Sequence, residues 1–276
     1  MPLRDLLCVL EAGDTPSKSA LDQSLALALG YKADISVLTA GPKAIAPYSA
    51  LGADMVGELF MAENEKVRQR AEAMAAEAKS RLSGAGVQGT VEVCLDAFQD
   101  ALVRVRQLAL CRDLVVMDRP GGATARSEIL FEEVLFSAGR PVLLPSDKAA
   151  ENFAKIALAW DGSSHAARAL SQALHLFGGL KEVEILVVRG EKDLTGITPA
   201  KNVAAHIGRH GVMAKVVELN VDAGGVGVTI DKHAASSGVD LVVMGAFGHS
   251  RLRQFVLGGV TRKLTQASST PLLLAH

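Results

Sequence analysis

The sequence predicts an α/β fold of two tandem units, each a five-stranded parallel sheet with helices on both faces. Three observations predict it. The chain repeats itself once. Strand-like and helix-like segments alternate within each copy. The strand-like runs are apolar throughout, as expected of strands covered on both faces.

The repeat is plainest in two segments, DLVVMD from Asp113 and DLVVMG from Asp240. Each is followed about two dozen residues later by an apolar run after a proline, RPVLLP from Arg140 and TPLLLA from Thr270. The copies also open alike, LLCVLEAGD from Leu6 and KIALAWDGS from Lys155. A helix-forming stretch follows each, SALDQSLALALG from Ser19 and RALSQALHLFGG from Arg168. The polar stretch PSDKAAENF, residues 145–153, separates two strand-like runs and marks the join. The expected units are 1–148 and 152–276.

In the second copy the expected strands are IALAW, EILVV, AKVVELN, DLVVMG and PLLLA. Helices are expected over 164–177, 199–210, 224–237 and 256–268. The first copy differs between its second and third strands, ISVLTA and TVEVCL. There GPKAIAPYSALGADM reads as an irregular loop, and the Ala-, Glu-, Lys- and Arg-rich stretch from Val56 reads as one long helix ended by Gly84 and Gly86.

Bulk composition excludes several classes. The 276 residues carry 29 Lys+Arg against 30 Asp+Glu, so no overall positive field draws the chain to nucleic acid. Hydrophobic residues make up 49%, enough for a sizeable core, while aromatics are only 4%, which suits Ala-, Val- and Leu-rich helix–sheet packing. No apolar run approaches the roughly 20 residues that span a bilayer, and the N-terminus reads as a first strand instead of a signal peptide. Cys8, Cys94 and Cys111 fit neither a disulfide framework nor a metal site. They are expected to be buried free thiols in a soluble, cytoplasmic protein.

The segment from Asp240 onward carries the chemistry. Gly245 ends a buried strand, Gly248 follows, and Gly258 and Gly259 precede Val260 and Thr261 at the start of a helix. In an open parallel sheet, ligands bind beyond the carboxyl ends of the strands, where strand order reverses. Glycine at a strand end permits close backbone approach. Free N–H groups at a helix start suit phosphate, and the Thr261 hydroxyl offers one more hydrogen bond. Arg251 and Arg253, in the loop between the glycines, either meet phosphate or face water. The same glycines also suit turns and helix caps with no ligand at all.

The spacing G-x2-G-x9-G closely resembles the ATP-binding signature of the universal stress protein superfamily, and GAFGHSRLRQFVLGGVTRKL resembles a variant common in bacterial tandem members. The chain departs from the usual form at Gly259, where Ser or Thr is expected, with Thr261 two places on. The resemblance runs from first strand to last. It implies Rossmann-like units of the adenine nucleotide α-hydrolase kind, with ATP as ligand; Mg2+ enters only as the ion that ATP normally carries. It also implies that Asp161 faces the nucleoside and that Val187 or Val188, with Val188 favoured, packs against adenine. Met244 would line the same site. Asp161 equally suits a turn that caps a helix with Ser163 or Ser164, and the valine equally suits the core.

The first copy fails this test. Asp118 stands in the place of Gly245, Glu128 and Ile129 fall where Gly258 and Gly259 would align, and EAGD sets Ala12 against Asp161. A carboxylate about 4 Å from a phosphate costs roughly 4 kcal/mol at an effective dielectric of 20, more than the ~1 kcal/mol of a typical hydrogen bond. The first copy is therefore expected not to bind ATP in the family's manner. The resemblance further implies an intramolecular pseudo-dimer joined through PVLLP and PLLLA, and leaves open a homodimer of whole chains.

No catalytic set emerges. His249 and Ser250 are adjacent in sequence, which is not a nucleophile–base geometry. DGSSH after the first strand of the second copy differs from the SGGxDS loop of nucleotide-activating enzymes. AGGVGV at residues 223–228 lacks the G-x-G-x-x-G order of a dinucleotide site. The leading expectation is a stress-response module that binds an adenine nucleotide in its second unit, for signalling or regulation. A slow ATPase and an interaction protein without nucleotide are the alternatives.

Overall fold

A computed structural model describes residues 2–13, 18–43, 53–120, 125–190, 199–246 and 259–276. They form ten strands and eight helices. The first half holds β1 (Asp5–Glu11), α1 (Ser19–Tyr31), β2 (Asp34–Ala40), α2 (Ala53–Ala85), β3 (Gly89–Cys94), α3 (Phe98–Leu110), β4 (Leu114–Met117), α4 (Ala125–Ser137) and β5 (Val142–Leu144). The second holds β6 (Lys155–Ala159), α5 (Ser164–Leu176), β7 (Glu182–Arg189), α6 (Ala200–Arg209), β8 (Met213–Asn220), α7 (Val226–Ser237), β9 (Leu241–Gly245), α8 (Gly259–Ala267) and β10 (Leu272–Ala275).

All ten strands lie in one sheet, in the order β3-β2-β1-β4-β5-β10-β9-β6-β7-β8. Every pairing inside a half is parallel. The seam is the exception: β5 and β10 run antiparallel, with Leu143 opposite Leu273. The two apolar runs that follow a proline thus cover each other's edges. In each half the strand order reverses between the first and fourth strands, which sets one crevice at the ends of β1 and β4 and another at the ends of β6 and β9.

The repeated aspartates of the DLVVM segments have the same task in both halves. Asp113 Oδ2 accepts the N–H groups of Arg4 and Asp5 at 3.0 Å, and Asp240 Oδ2 accepts those of Ala154 and Lys155 at 2.8 Å. Each satisfies the backbone at the entry to its half's first strand.

The core is two layers, and both run across the seam. One packs α1, α2, α5 and α6 on one sheet face and includes Leu3, Phe153, Phe177 and Leu273. The other packs α3, α4, α7 and α8 on the opposite face and includes Phe131, Leu144, Leu264 and Leu274. The connecting segment is fastened too: Gln23 on α1 donates to the Ala150 carbonyl at 2.7 Å and accepts the Ala150 N–H at 3.2 Å.

Three sequence expectations change. The long helix of the first half starts at Ala53, inside the stretch read as loop, and spans 33 residues where α6 has ten. AKVVELN is not covered on both faces: β8 is an edge strand with alternating exposed residues, Lys215 and Glu218 among its charged members. Cys8 and Cys94 are buried, but Cys111 is exposed where α3 ends, because it falls past the last buried turn of that helix.

Candidate functional site

The second-half crevice begins where β6 ends. Asp161 Oδ1 accepts the Ser163 N–H at 3.0 Å, and Ser163 Oγ in turn accepts the Ala166 N–H at 3.1 Å, capping α5. Asp161 therefore builds the turn that starts α5, as one of its two sequence readings held. Its other oxygen, Oδ2, has no hydrogen bond among the described residues.

Neighbouring strands supply the walls. β7 overshoots β6, whose register ends at Ala159 opposite Leu186, so Val188 lies beyond the paired region. Val188 is half-buried and packs on the α7/α8 face with Ala159 and Val260, whereas Val187 is buried on the opposite face. Met244 belongs to the Val188 face but is 4% exposed, so its side chain is spent in the core.

Gly245 has a packing reason of its own. A Cβ there would stand 2.5 Å from the His165 carbonyl carbon and closer still to the Ala166 nitrogen. The first turn of α5 rests directly on the end of β9, which only glycine permits. Close approach is required at this strand end, and α5 is what approaches.

α8 starts at Gly259, with Thr261 in its first turn. Thr261 is 5% exposed, and its hydroxyl makes no hydrogen bond among the described residues. Lys263 Nζ donates to the Gly224 carbonyl at 2.6 Å, tying α8 to the turn before α7. Gly225 in that turn has φ +86°. This is where AGGVGV falls, as a helix entry and not a dinucleotide loop. Gly248, His249, Ser250, Arg251, Arg253 and Gly258 lie outside the described residues. The structure thus brings Asp161, Val188, Met244, Gly245, Gly259 and Thr261 to one end of the sheet, around β6, β7 and β9.

The equivalent end of the first half is built differently. The register pairs Leu6 with Leu114 and Ile156 with Leu241, so Glu11, not Ala12, is the counterpart of Asp161. The sequence match was one residue out because the two openings share apolar character but few identities. Burial raises the Glu11 carboxyl above the usual carboxylate range; Arg126 opposes this and Asp118 adds to it. Asp118 Oδ1 accepts the Ala20 N–H of α1 at 3.0 Å. It caps a helix whose own N-terminal residue, Lys18, makes no side-chain cap. Glu128 and Ile129 sit inside α4, which starts at Ala125, so no helix begins where α8 begins in the other half.

Sequence reasoning passed over two further groups. Arg119, next to Asp118, crosses the seam. Its Nε donates to the Pro145 carbonyl at 3.0 Å, Nη1 to Leu264 and Thr265 at 2.9 and 3.4 Å, and Nη2 to Thr270 at 2.7 Å. Burial pulls its guanidinium below the usual arginine range, with Asp231 and Asp147 opposing. A cavity of about 550 Å³ opens beside it, lined by Asp118, Ser146, Lys148 and Ser268; it belongs to the ends of β4 and β5, not to the β6/β9 crevice. The other group is Glu184, 4% exposed on β7, held by His233 at 2.7 Å and Lys155 at 3.0 Å. Burial raises its carboxyl, but the bonds to His233 and Lys155 outweigh this and hold it below the usual range. No motif signals either group; only the fold brings their members together.

The profile of the Universal stress protein family matches residues 152–276. Universal stress protein YxiE of Bacillus subtilis is 30% identical over 150 residues, covering 45% of this chain and 99% of its own length. A universal stress protein of Synechocystis is 23% identical over 229 residues, covering 80% of this chain and 78% of its own. The crystal structure of a universal stress protein from Archaeoglobus fulgidus has a TM-score of 0.67 at 18% identity, over 98% of this chain and 97% of that one. At that identity the structural likeness speaks to the fold, while the sequence matches speak to descent. The chain belongs to the universal stress protein family.

Proposed function

We propose that the second half, residues 152–276, is an adenine-nucleotide-binding module that takes ATP, with Mg2+ on its phosphates, at the ends of β6, β7 and β9. The observation that carries this reading is the asymmetry at the fourth strand of each half. β9 ends in Gly245, which lets the first turn of α5 and the Asp161 turn before it close onto the strand end, whereas β4 ends with a carboxylate on the neighbouring helix. Asp161, whose Oδ1 is taken by the Ser163 N–H, would accept a ribose or adenine hydrogen bond with Oδ2. Val188 offers a half-buried apolar wall for the base, with Met244 in the core of the same face. The amides of Gly259, Val260 and Thr261 suit phosphate, as would the backbone of Gly245, Gly248 and Gly258. Thr261 is too buried to serve as a prominent hydroxyl ligand, so its contribution is the backbone N–H.

The first half, 1–148, is a degenerate domain of the same kind. Joined through β5 and β10, the two halves act as a pseudo-dimer in one chain. The free thiols support a reducing, cytoplasmic setting. The role is regulatory binding in a stress response, not strong catalysis. Calorimetry of the intact chain with MgATP tests it: saturable binding that Gly258→Glu abolishes is expected. No heat at millimolar ATP, and no nucleotide released from denatured purified protein, would leave an interaction module instead. Steady multi-turnover hydrolysis that the same substitution removes would make it an ATPase.

A further inference from the structure

α8 has the candidate phosphate amides at its N-terminus, but its C-terminus is the end that the fold secures. The helix is nine residues long and has no basic residue in its last turn. The Ser268 N–H closes onto the Leu264 carbonyl at 3.1 Å, and the carbonyls beyond it would otherwise need water or a cation. Arg119 reaches this end from the first half, donating to Leu264 and Thr265 in α8 and to Thr270 just before β10. A fourth bond, to Pro145, anchors the guanidinium at the end of its own half's last strand. The planar fork thus joins both sides of the seam at one half-buried point. A positive charge there also complements the negative end of the helix dipole.

The arrangement is one-way. The residue that follows β9 at the corresponding place is Ala246, which has no side chain to reach back. Its carbonyl instead receives the ring of His276 at 3.2 Å. The first half therefore secures a helix of the second, with no return clamp from the matching position. A nine-residue helix is only about 13 Å long. Fixing one end of so short a rod fixes the direction in which its opposite amides point.

We propose that Arg119 is a positioning residue for the second-half site: it holds α8 by its C-terminus so that the N-terminal amides of that helix converge on the ligand phosphates. This rests on the nucleotide reading above and gives the degenerate first half a task in it.

The test uses the full chain and three variants, Arg119→Met, Arg119→Lys and Arg140→Met. Arg140 also donates to a carbonyl, that of Leu110 at 2.8 Å, but within the first half, so it controls for general loss of an arginine cap. MgATP affinity is measured at a temperature where circular dichroism shows each chain fully folded. Hydrogen exchange is followed over 259–267. The expected result is affinity ~10-fold weaker in R119M, in the usual range of coupling between linked sites, intermediate in R119K and unchanged in R140M, with faster exchange in α8 for R119M. Wild-type affinity in folded R119M overturns the inference while leaving the nucleotide reading intact. Should the parent chain bind no ATP, the nucleotide reading fails on its own; unchanged α8 exchange in R119M would then overturn the clamp as well, and faster exchange would uphold it. Should R119M not fold, R119K against R140M decides by the same two readouts.

Discussion

The ends of β4 and β9 are the same place in two copies of one unit, and they do opposite things. At β9 the side chain is absent, α5 closes onto the strand, and α5 is capped by its own Ser163. At β4 the side chain is Asp118, which takes over as the cap of α1. A carboxylate at this point serves as a cap and would repel a phosphate. The proposed nucleotide site therefore falls in the second half, while the first half uses this position to secure α1 beside its own cavity. The polar group buried on each half's second strand diverges as well. Glu184 is held by Lys155 and His233, whereas its counterpart Ser36 accepts from Arg112 Nη2 at 2.8 Å.

The largest expected effect sharpens that second contrast. Glu184→Ala removes the carboxylate that holds both Lys155 and His233, though Lys155 keeps Glu182 and the Ser237 carbonyl, and should cost about 3 kcal/mol, the upper end for hydrogen bonds to charged groups. Ser36→Ala should cost no more than about 1 kcal/mol. Urea unfolding of both variants measures the difference. The Glu184 contribution is also pH-dependent. Its folded pKa lies below the unfolded value, so its stabilisation is complete above the unfolded carboxylate range, roughly pH 4.3, and is lost as pH falls through the lower folded pKa. Glu184→Gln should flatten the acid limb of stability against pH; an unchanged slope would place the linkage elsewhere.

Next come the strand ends themselves. Gly245→Ala forces a methyl group into the α5 backbone and should destabilise by about 2 kcal/mol through overpacking. Asp118→Ala removes a cap and should cost about 1 kcal/mol. Thermal unfolding that ranked them in reverse would break the account of why each residue stands where it does.

The smallest effect is chemical. Burial pushes the Cys8 thiol up to about 12, and Cys94 is raised as well, again by burial first. A disulfide reagent at pH 8 should modify the exposed Cys111 quickly and the other two only on unfolding. Three fast thiols in the native chain would contradict the packing of the first half.

Much of the fold was legible because its signals are local. Apolar runs such as DLVVM and PLLLA, and the aspartate that opens each DLVVM segment, repeat in order along the chain. The seam was legible through the family resemblance, which implied that the two proline-led runs pair, as β5 and β10 do. What escaped the sequence depends on register or on distant partners. Glu11 was missed by one residue because an apolar strand offers few fixed points for alignment. The packing reason for Gly245 was not legible because α5 comes from about 80 residues earlier in the chain. Arg119 reads in sequence as an ordinary arginine before Pro120, and only the antiparallel seam brings α8 to it.

The central claim is that one nucleotide binds per chain, at the second half alone. Equilibrium dialysis with labelled MgATP tests it most directly, on the parent chain and on the matched pair Asp161→Ala and Glu11→Ala. The account predicts one equivalent for the parent, a severe loss for D161A, and one equivalent with unchanged affinity for E11A. Two equivalents in the parent, one of them lost in E11A, would show a working site in the first half and contradict it.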